Sequence, residues 1–346
     1  MRTLKFPSHL QTDPARAISW ETLALTRFLL AWVVLSVHTF MPSRIASAFV
    51  IFGGKAAVIG FMLISGFSIA ASIKSRPQGF ILRRILRIYP MYFGAVLFTL
   101  LVQALMAPRV EVAGMTIEAS GWGRILGNLL LTQMYLCKTL DFNGPFWSLS
   151  IEFSYYMVAP LFLLLPRAWL LFLIVLSGVV FVLPVNPDNG RLYDLLTHFN
   201  GLRYLWSWLM GFCIFSNTSR PLAVIGLLFS LAVFPFGARD LDGYVPFLTI
   251  LGTYVLLHCA HLISVGGYAG KAFDFLGDMS YPLYLVHFPL SVLLVAGLHV
   301  QSDILFFALA LALTYLNILL FDGYLKRVFF RPVFTRLYSL VANPGK

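Results

Sequence analysis

Apolar residues come in long, nearly unbroken runs from Leu23 to Leu325, separated by short polar segments. Runs near twenty residues long suit helices that cross roughly 30 Å of hydrocarbon. Helices are expected throughout, because backbone groups in lipid must satisfy one another internally. The pattern predicts ten spans, near 22–42, 49–73, 89–107, 146–166, 168–185, 201–216, 221–236, 244–263, 279–298 and 303–325. A further apolar run, "ILGNLLLTQMYL" from Ile125 to Leu136, is too short to span and is expected to lie at or re-enter the interface. The longest connection is Pro108 to Pro145, and the others are short turns marked by Pro, Gly, Asn and Asp. No internal repeat is visible.

Composition agrees with lipid as the solvent. Of 346 residues, 59% are hydrophobic and 11% charged, and the mean hydropathy is +0.84. One water-soluble core cannot hide that much apolar surface. The expected fold is therefore an all-α integral membrane protein of about ten transmembrane helices with no soluble domain. Its predicted parts are an N-terminal tail (1–21), a transmembrane domain (22–325) and a basic C-terminal tail (326–346).

Charge sets the expected orientation. In a ten-span arrangement the side holding the N-terminus collects the cluster Lys74, Arg76, Arg83, Arg84 and Arg87 and the tail Lys326, Arg327, Arg331, Arg336 and Lys346. The other side receives a sparser scatter that includes Arg44, Lys55, Arg109, Arg124 and Lys138. Positive residues favour the cytoplasm, so both termini are expected there. The net charge of +11 then needs no nucleic-acid partner, since an anionic inner leaflet accounts for it. With no small-residue cleavage site after it, the first run is expected to be a retained signal anchor. Three cysteines on separate connections or helix ends imply no disulfide framework.

Polar residues inside these runs carry the candidate chemistry. In "TRFLLAWVVLSVHTF", Arg27 and His38 are eleven residues apart. At the ideal helical pitch they lie within about 20° of one face and about 16 Å apart along the axis. Arg27 can snorkel to inner headgroups and His38 can be satisfied between helices. Intramembrane ionisable groups also mark sites and pathways. At the start of the fourth span, "GPFWSLSIEFSYY" gathers Trp147, Ser148, Glu152, Tyr155 and Tyr156. Glu152 falls at much the same predicted depth as His38, where a carboxylate can hold an imidazole tautomer. It also suits a helix start on dipole grounds alone. "FILRRILRIYPMYF" places Arg83, Arg84 and Arg87 beside Tyr89, a patch fit either for phosphate oxygens or for plain anchoring to the membrane. Gly60, Ser65, Gly66 and Ala70 on successive turns favour close helix packing. His258 and His261 flank Cys259 without a further ligand cluster, so no metal is expected.

Five segments in this order resemble one family. The Arg27-to-His38 stripe, "GKAAVIGFMLISGF", "RRILRIYPMYF", "FWSLSIEFSYY" and "LGDMSYPLYLVHFPL" (Leu276 to Leu290) look like the acyltransferase-3 family of bacterial surface-sugar O-acyltransferases. The resemblance covers about Leu23 to Tyr324. It implies a multi-pass protein of the bacterial cytoplasmic (inner) membrane that takes an acyl group from cytoplasmic acyl-CoA, commonly acetyl-CoA, and gives it to a saccharide hydroxyl. By that resemblance His38 is the catalytic histidine, Arg27 its motif partner and Glu152 a site carboxylate. Arg83, Arg84, Arg87 and Tyr89 become coenzyme contacts, while Trp147, Ser148, Tyr155 and His287 become acceptor-side residues. An interhelical hydrogen bond is an equal expectation for His287. The family's closing Glu-x-Pro is replaced by "FDGYLKRVFFRP", which leaves Asp322 as the nearby acid.

Two chemistries remain open for His38. It can act as general base toward the hydroxyl, or it can accept the acyl group itself and relay it. A secondary transporter of a saccharide or small metabolite is the competing class, although related halves with interrupted helices are not seen.

Overall fold

Long apolar runs fold into helices in the computed structural model, which describes residues 18–182, 200–216 and 244–342. Numbered over these residues, the helices are α1 (Trp20–Val37), α2 (Arg44–Val50), α3 (Gly54–Ser75), α4 (Phe80–Leu105), α5 (Trp122–Leu129), α6 (Phe146–Phe162), α7 (Arg167–Val182), α8 (Asn200–Ser216), α9 (Tyr244–Cys259), α10 (Gly267–Val292), α11 (Asp303–Asn317) and α12 (Arg331–Ala342). A π-helical turn, Leu293–Gly297, follows α10, and a longer π segment, Ile318–Phe330, joins α11 to α12. Among the described residues five helical stretches are long and apolar enough to cross a membrane: Trp20–Val37, Gly54–Ser75, Phe80–Leu105, Gly267–Gly297 and Asp303–Ser339. The predicted span at 221–236 and the tail before residue 18 lie outside the described residues.

Three boundaries differ from the hydropathy pattern. Helix α4 starts at Phe80 rather than near 89, because Arg83, Arg84 and Arg87 lower hydropathy without opposing helix formation. Helix α10 starts at Gly267 rather than 279 for the same reason, its first turns being polar. Helix α1 stops at Val37, short of the expected 42. Phe40 turns left-handed at φ 56°, and the Leu35 carbonyl at the helix end accepts from both His38 N–H and the Thr39 hydroxyl.

The purely helical expectation is corrected in the long connection. There β1 (Arg109–Val112) and β2 (Met115–Glu118) pair antiparallel, Val110 opposite Ile117 and Val112 opposite Met115. The intervening Ala113 and Gly114 both take positive φ, 50° and 76°, as a two-residue hairpin turn requires. Val112 and Ile117 are each 3% exposed and pack with Val102, Phe142, Phe288 and Val292. The apolar run after the hairpin begins as α5 and then breaks at Leu131 and Met134, both left-handed. Side-chain hydrogen bonds tie this segment to its neighbours: Tyr92 Oη donates to the Asn128 carbonyl, and Gln133 Nε2 donates to the Phe146 carbonyl.

The chain divides into two units, each discontinuous in sequence. The first comprises Met1–Val34, Phe49–Ser75 and Ser148–Gly277. Its core is α3 packed against α8 and α9, with α7 on α8. The α3–α8 crossing depends on two glycines: a Cβ on Gly66 would sit 1.9 Å from the Trp208 carbonyl oxygen, and one on Gly211 would sit 1.8 Å from that of Leu63. Small residues let helix backbones touch where lipid supplies no hydrophobic drive.

The second unit comprises Leu35–Ala48, Arg76–Trp147 and Asp278–Lys346. In it α4 packs against the π segment, α11 and α12. Leu97, Leu101 and Leu105, four residues apart along α4, form an exposed apolar stripe. The opposite side buries Tyr92, Ala95, Thr99 and Val102. A helix apolar outward and carrying Tyr and Thr inward is built for lipid.

Candidate functional site

His38 stands on the turn that closes α1, in the second unit. Its backbone is held twice, by His38 N–H donating to the Leu35 carbonyl and by Ser291 Oγ donating to the Thr39 carbonyl at 2.9 Å. The imidazole lies against the Phe288 ring at 5.3 Å between centroids and the Phe40 ring at 6.0 Å, both edge-on. Its Nδ1 lies 3.2 Å from Nε2 of His287. His287 is fully buried on α10.

Hydrogen-bond bookkeeping assigns the tautomers. His287 Nδ1 is 2.8 Å from the Tyr284 carbonyl oxygen, which can only accept, so Nδ1 carries the proton. With that ring neutral its Nε2 is an acceptor, and His38 Nδ1–H donates to it. Neutral His38 then has its lone pair on Nε2. An Asp does the same for the histidine of a serine-hydrolase triad. Here the orienting group is a second imidazole, 249 positions along the chain.

The helix that carries His287 is braced by a residue with no earlier claim on attention. Pro289 has no N–H for the Leu285 carbonyl four residues back. Asn143 Nδ2 donates to that carbonyl at 2.9 Å and to Thr99 Oγ1 at 3.0 Å. Tyr284 Oη donates to the Pro145 carbonyl at 2.9 Å. Thus Asn143, Thr99 and Phe288 belong to the surroundings of the histidine pair. The prolines of "SYPLYLVHFPL" were the signal that a carbonyl there needs a side-chain donor.

The residues of the basic patch have different surroundings. Arg83 donates to the backbone carbonyls of Gln78 and Arg76 in the loop before α4. The Arg84 guanidinium lies over the Phe80 ring, 5.6 Å from its centroid. Arg87 is exposed. Tyr89 joins an aromatic group with Tyr92, Phe93, Phe330 and Phe334. Asp322 on the π segment accepts from Lys326 Nζ at 2.6 Å.

Glu152 belongs to the first unit, as do Arg27, Ser148 and Tyr155. Glu152 is half-buried on α6 and accepts from the Tyr156 hydroxyl one turn on. Tyr156 Oη is 2.9 Å from Ser65 Oγ on α3. Tyr155, expected on the acceptor side, is 4% exposed; it donates to the Gly201 carbonyl and packs its ring on Trp208. Arg27 is half-buried on α1 and Ser148 is buried. Trp147 is half-buried in the second unit. Among the described residues no group of three or more His, Cys, Asp or Glu converges as metal ligands would.

Comparison with known proteins gives this geometry a context. A family model described as an acyltransferase domain matches residues 20–322. Over 167 residues the chain is 29% identical to acyltransferase MdmB of Streptomyces mycarofaciens, covering 44% of this chain and 42% of that protein. Over 288 residues it is 23% identical to peptidoglycan O-acetyltransferase OatA of Listeria monocytogenes, covering 70% of this chain and 45% of the relative. The alignments thus span less than half the length of either relative. No solved structure matches the chain. Because the family match runs from the first residue of α1 into the π segment, the chain, with several helices long and apolar enough to cross a membrane, belongs to the acyltransferase-3 family.

Proposed function

We propose that the protein moves an acyl group, acetyl in the first instance, from cytoplasmic acyl-CoA to a hydroxyl of a surface or lipid-linked saccharide, with His38 as general base. The observation that carries this is the His38–His287 hydrogen bond, which gives neutral His38 a defined tautomer with its lone pair on Nε2. A sugar hydroxyl is a poor nucleophile until its proton is removed, and a positioned imidazole contributes about 10²–10⁴-fold to such a step. The hydroxyl proton passes to His38 Nε2 as the oxygen attacks the thioester carbonyl. The C–O bond forms, the C–S bond breaks, and the proton returns from His38 to the departing thiolate. Through this cycle His287 keeps accepting from His38 Nδ1–H, which supports the imidazolium.

Arg87, exposed at the start of α4, and Arg84 beside it supply coenzyme contacts in this proposal; Arg83 serves the loop that precedes them. In this proposal Arg27 serves as the motif arginine and Glu152 as a site carboxylate, both in the first unit, while Ser148 of that unit and Trp147 of the second are acceptor contacts. The Lys and Arg distribution supports cytoplasmic tails at 1–21 and 326–346 around a membrane domain at 22–325, in a bacterial inner membrane. Since one relative is named for peptidoglycan, that polymer belongs among the acceptors tried.

Membrane vesicles containing the full chain, given radiolabelled acetyl-CoA, test the proposal. Label entering a saccharide fraction with wild type and not with His38→Ala is expected. Equal incorporation by the two would remove His38 from the chemistry.

A further inference from the structure

We infer that Tyr156 is a positioning residue for Glu152, the last link of a one-way hydrogen-bond line that starts at Trp208. The inference rests on the reading of Glu152 as a site carboxylate. An indole N–H can only donate, and Trp208 Nε1 donates to Ser65 Oγ at 3.3 Å. Tyr156 has a single proton, which goes to Glu152 Oε1, an acceptor when the carboxylate is ionised. Ser65 Oγ, 2.9 Å from Tyr156 Oη, is then the donor in that contact. With Glu152 ionised the polarity runs Trp208 to Ser65 to Tyr156 to Glu152.

Burial and scaffold make the line rigid. Trp208 is fully buried, Tyr156 is 8% exposed and Ser65 is 9% exposed, so the two links before Glu152 form away from competing water. Glu152 and Tyr156 are four residues apart on α6, one turn on a single face. Ser65 and Trp208 sit at the α3–α8 crossing itself, where Gly66 meets the Trp208 carbonyl and Gly211 meets that of Leu63. The Trp208 ring is stacked on Phe212 and flanked by Tyr155. A site built on packed helices is more precise than one on loops. A close helix contact in this unit is thereby tied to the orientation of one carboxylate, through a final bond that is charge-assisted when Glu152 is ionised.

Tyr156→Phe removes one oxygen and keeps the ring, so it tests the line with little burden on folding; Ser65→Ala tests it one link back. In vesicles with radiolabelled acetyl-CoA, Tyr156→Phe is expected to lower kcat by about tenfold or more while KM for acetyl-CoA stays within about twofold. Glu152→Gln combined with Tyr156→Phe should be no slower than Glu152→Gln alone, because the hydroxyl acts only through the carboxylate. A kcat for Tyr156→Phe within about twofold of wild type, beside an inactive Glu152→Gln, would overturn the positioning role and leave the acyl-transfer reading intact. A fully active Glu152→Gln would overturn both Glu152 as site carboxylate and the inference built on it. Infrared difference spectra of purified protein give a readout independent of substrate. The carboxylate band lost in Glu152→Gln should shift in Tyr156→Phe and, less, in Ser65→Ala; an unmoved band in both would refute the line.

Discussion

A histidine becomes a base by what its other nitrogen touches. His38 would be one more polar residue in a membrane protein if its Nδ1 met water or nothing; instead it meets Nε2 of a fully buried His287 whose own proton is committed to the Tyr284 carbonyl. Removing the partner leaves His38 in place but frees its tautomer. His287→Ala should therefore lower kcat by about a hundredfold with protein levels kept, and His287→Gln, which retains an acceptor, should recover part of the loss. Initial rates with acetyl-CoA check this; a rate for His287→Ala equal to wild type would remove the pair from the mechanism. The arginines divide by the same logic. Arg87→Ala should raise KM for acetyl-CoA severalfold to about tenfold with little change in kcat, the loss of one charge-assisted contact. Arg83→Ala should leave KM unchanged, since Arg83 is occupied by the Gln78 and Arg76 carbonyls. His38, Glu152 and the arginines stood out in the sequence because ionisable residues are rare inside apolar runs. The histidine pairing did not, because nothing local encodes a contact across 249 positions.

Helices hold those side chains through a small number of specific contacts. Pro289 opens the Leu285 carbonyl and Asn143 closes it. Asn143→Ala should destabilise the protein by about 1–3 kcal/mol, the cost of a buried acceptor left unmade. Adding Pro289→Ala should restore part of that, because an alanine N–H can bond the same carbonyl within the helix. Thermal unfolding in detergent measures both, and strictly additive losses would contradict the coupling. Gly66→Ala is a harsher change: its methyl would lie 1.9 Å from backbone oxygen, so α3 and α8 must separate and the folded yield should fall. Hydropathy located most of these helices, and the stripe of small residues in "GFMLISGF" announced the crossing. The ends were less visible, since Arg-rich first turns of α4 read as connection by hydropathy although arginine is a good helix former. The hairpin had a period-two signature in "VEVAGMTIE" that the surrounding apolar runs overshadowed.

At the scale of the whole molecule, lipid-facing leucines and inward-facing Ser, Thr, Asn and His describe a chain whose polar interior is its working part. The chain belongs to the acyltransferase-3 family, and the histidine pair gives neutral His38 a defined tautomer. The long connection before α6 adds a hairpin whose Val112 and Ile117 pack on Phe288, the ring beside His38. Elements far apart in sequence thus converge on one imidazole within the second unit, and the sequence, which names both His38 and His287, does not show that they pair. The most direct measurement is mass spectrometry of surface polysaccharide, peptidoglycan and lipid-linked saccharides from matched cells carrying wild-type protein, no protein, or His38→Ala. An acyl mass increment present only with wild type is the predicted result, and it would identify acyl group and acceptor together. The same increment in all three cell types, or its persistence with His38→Ala, would contradict acyl transfer through His38.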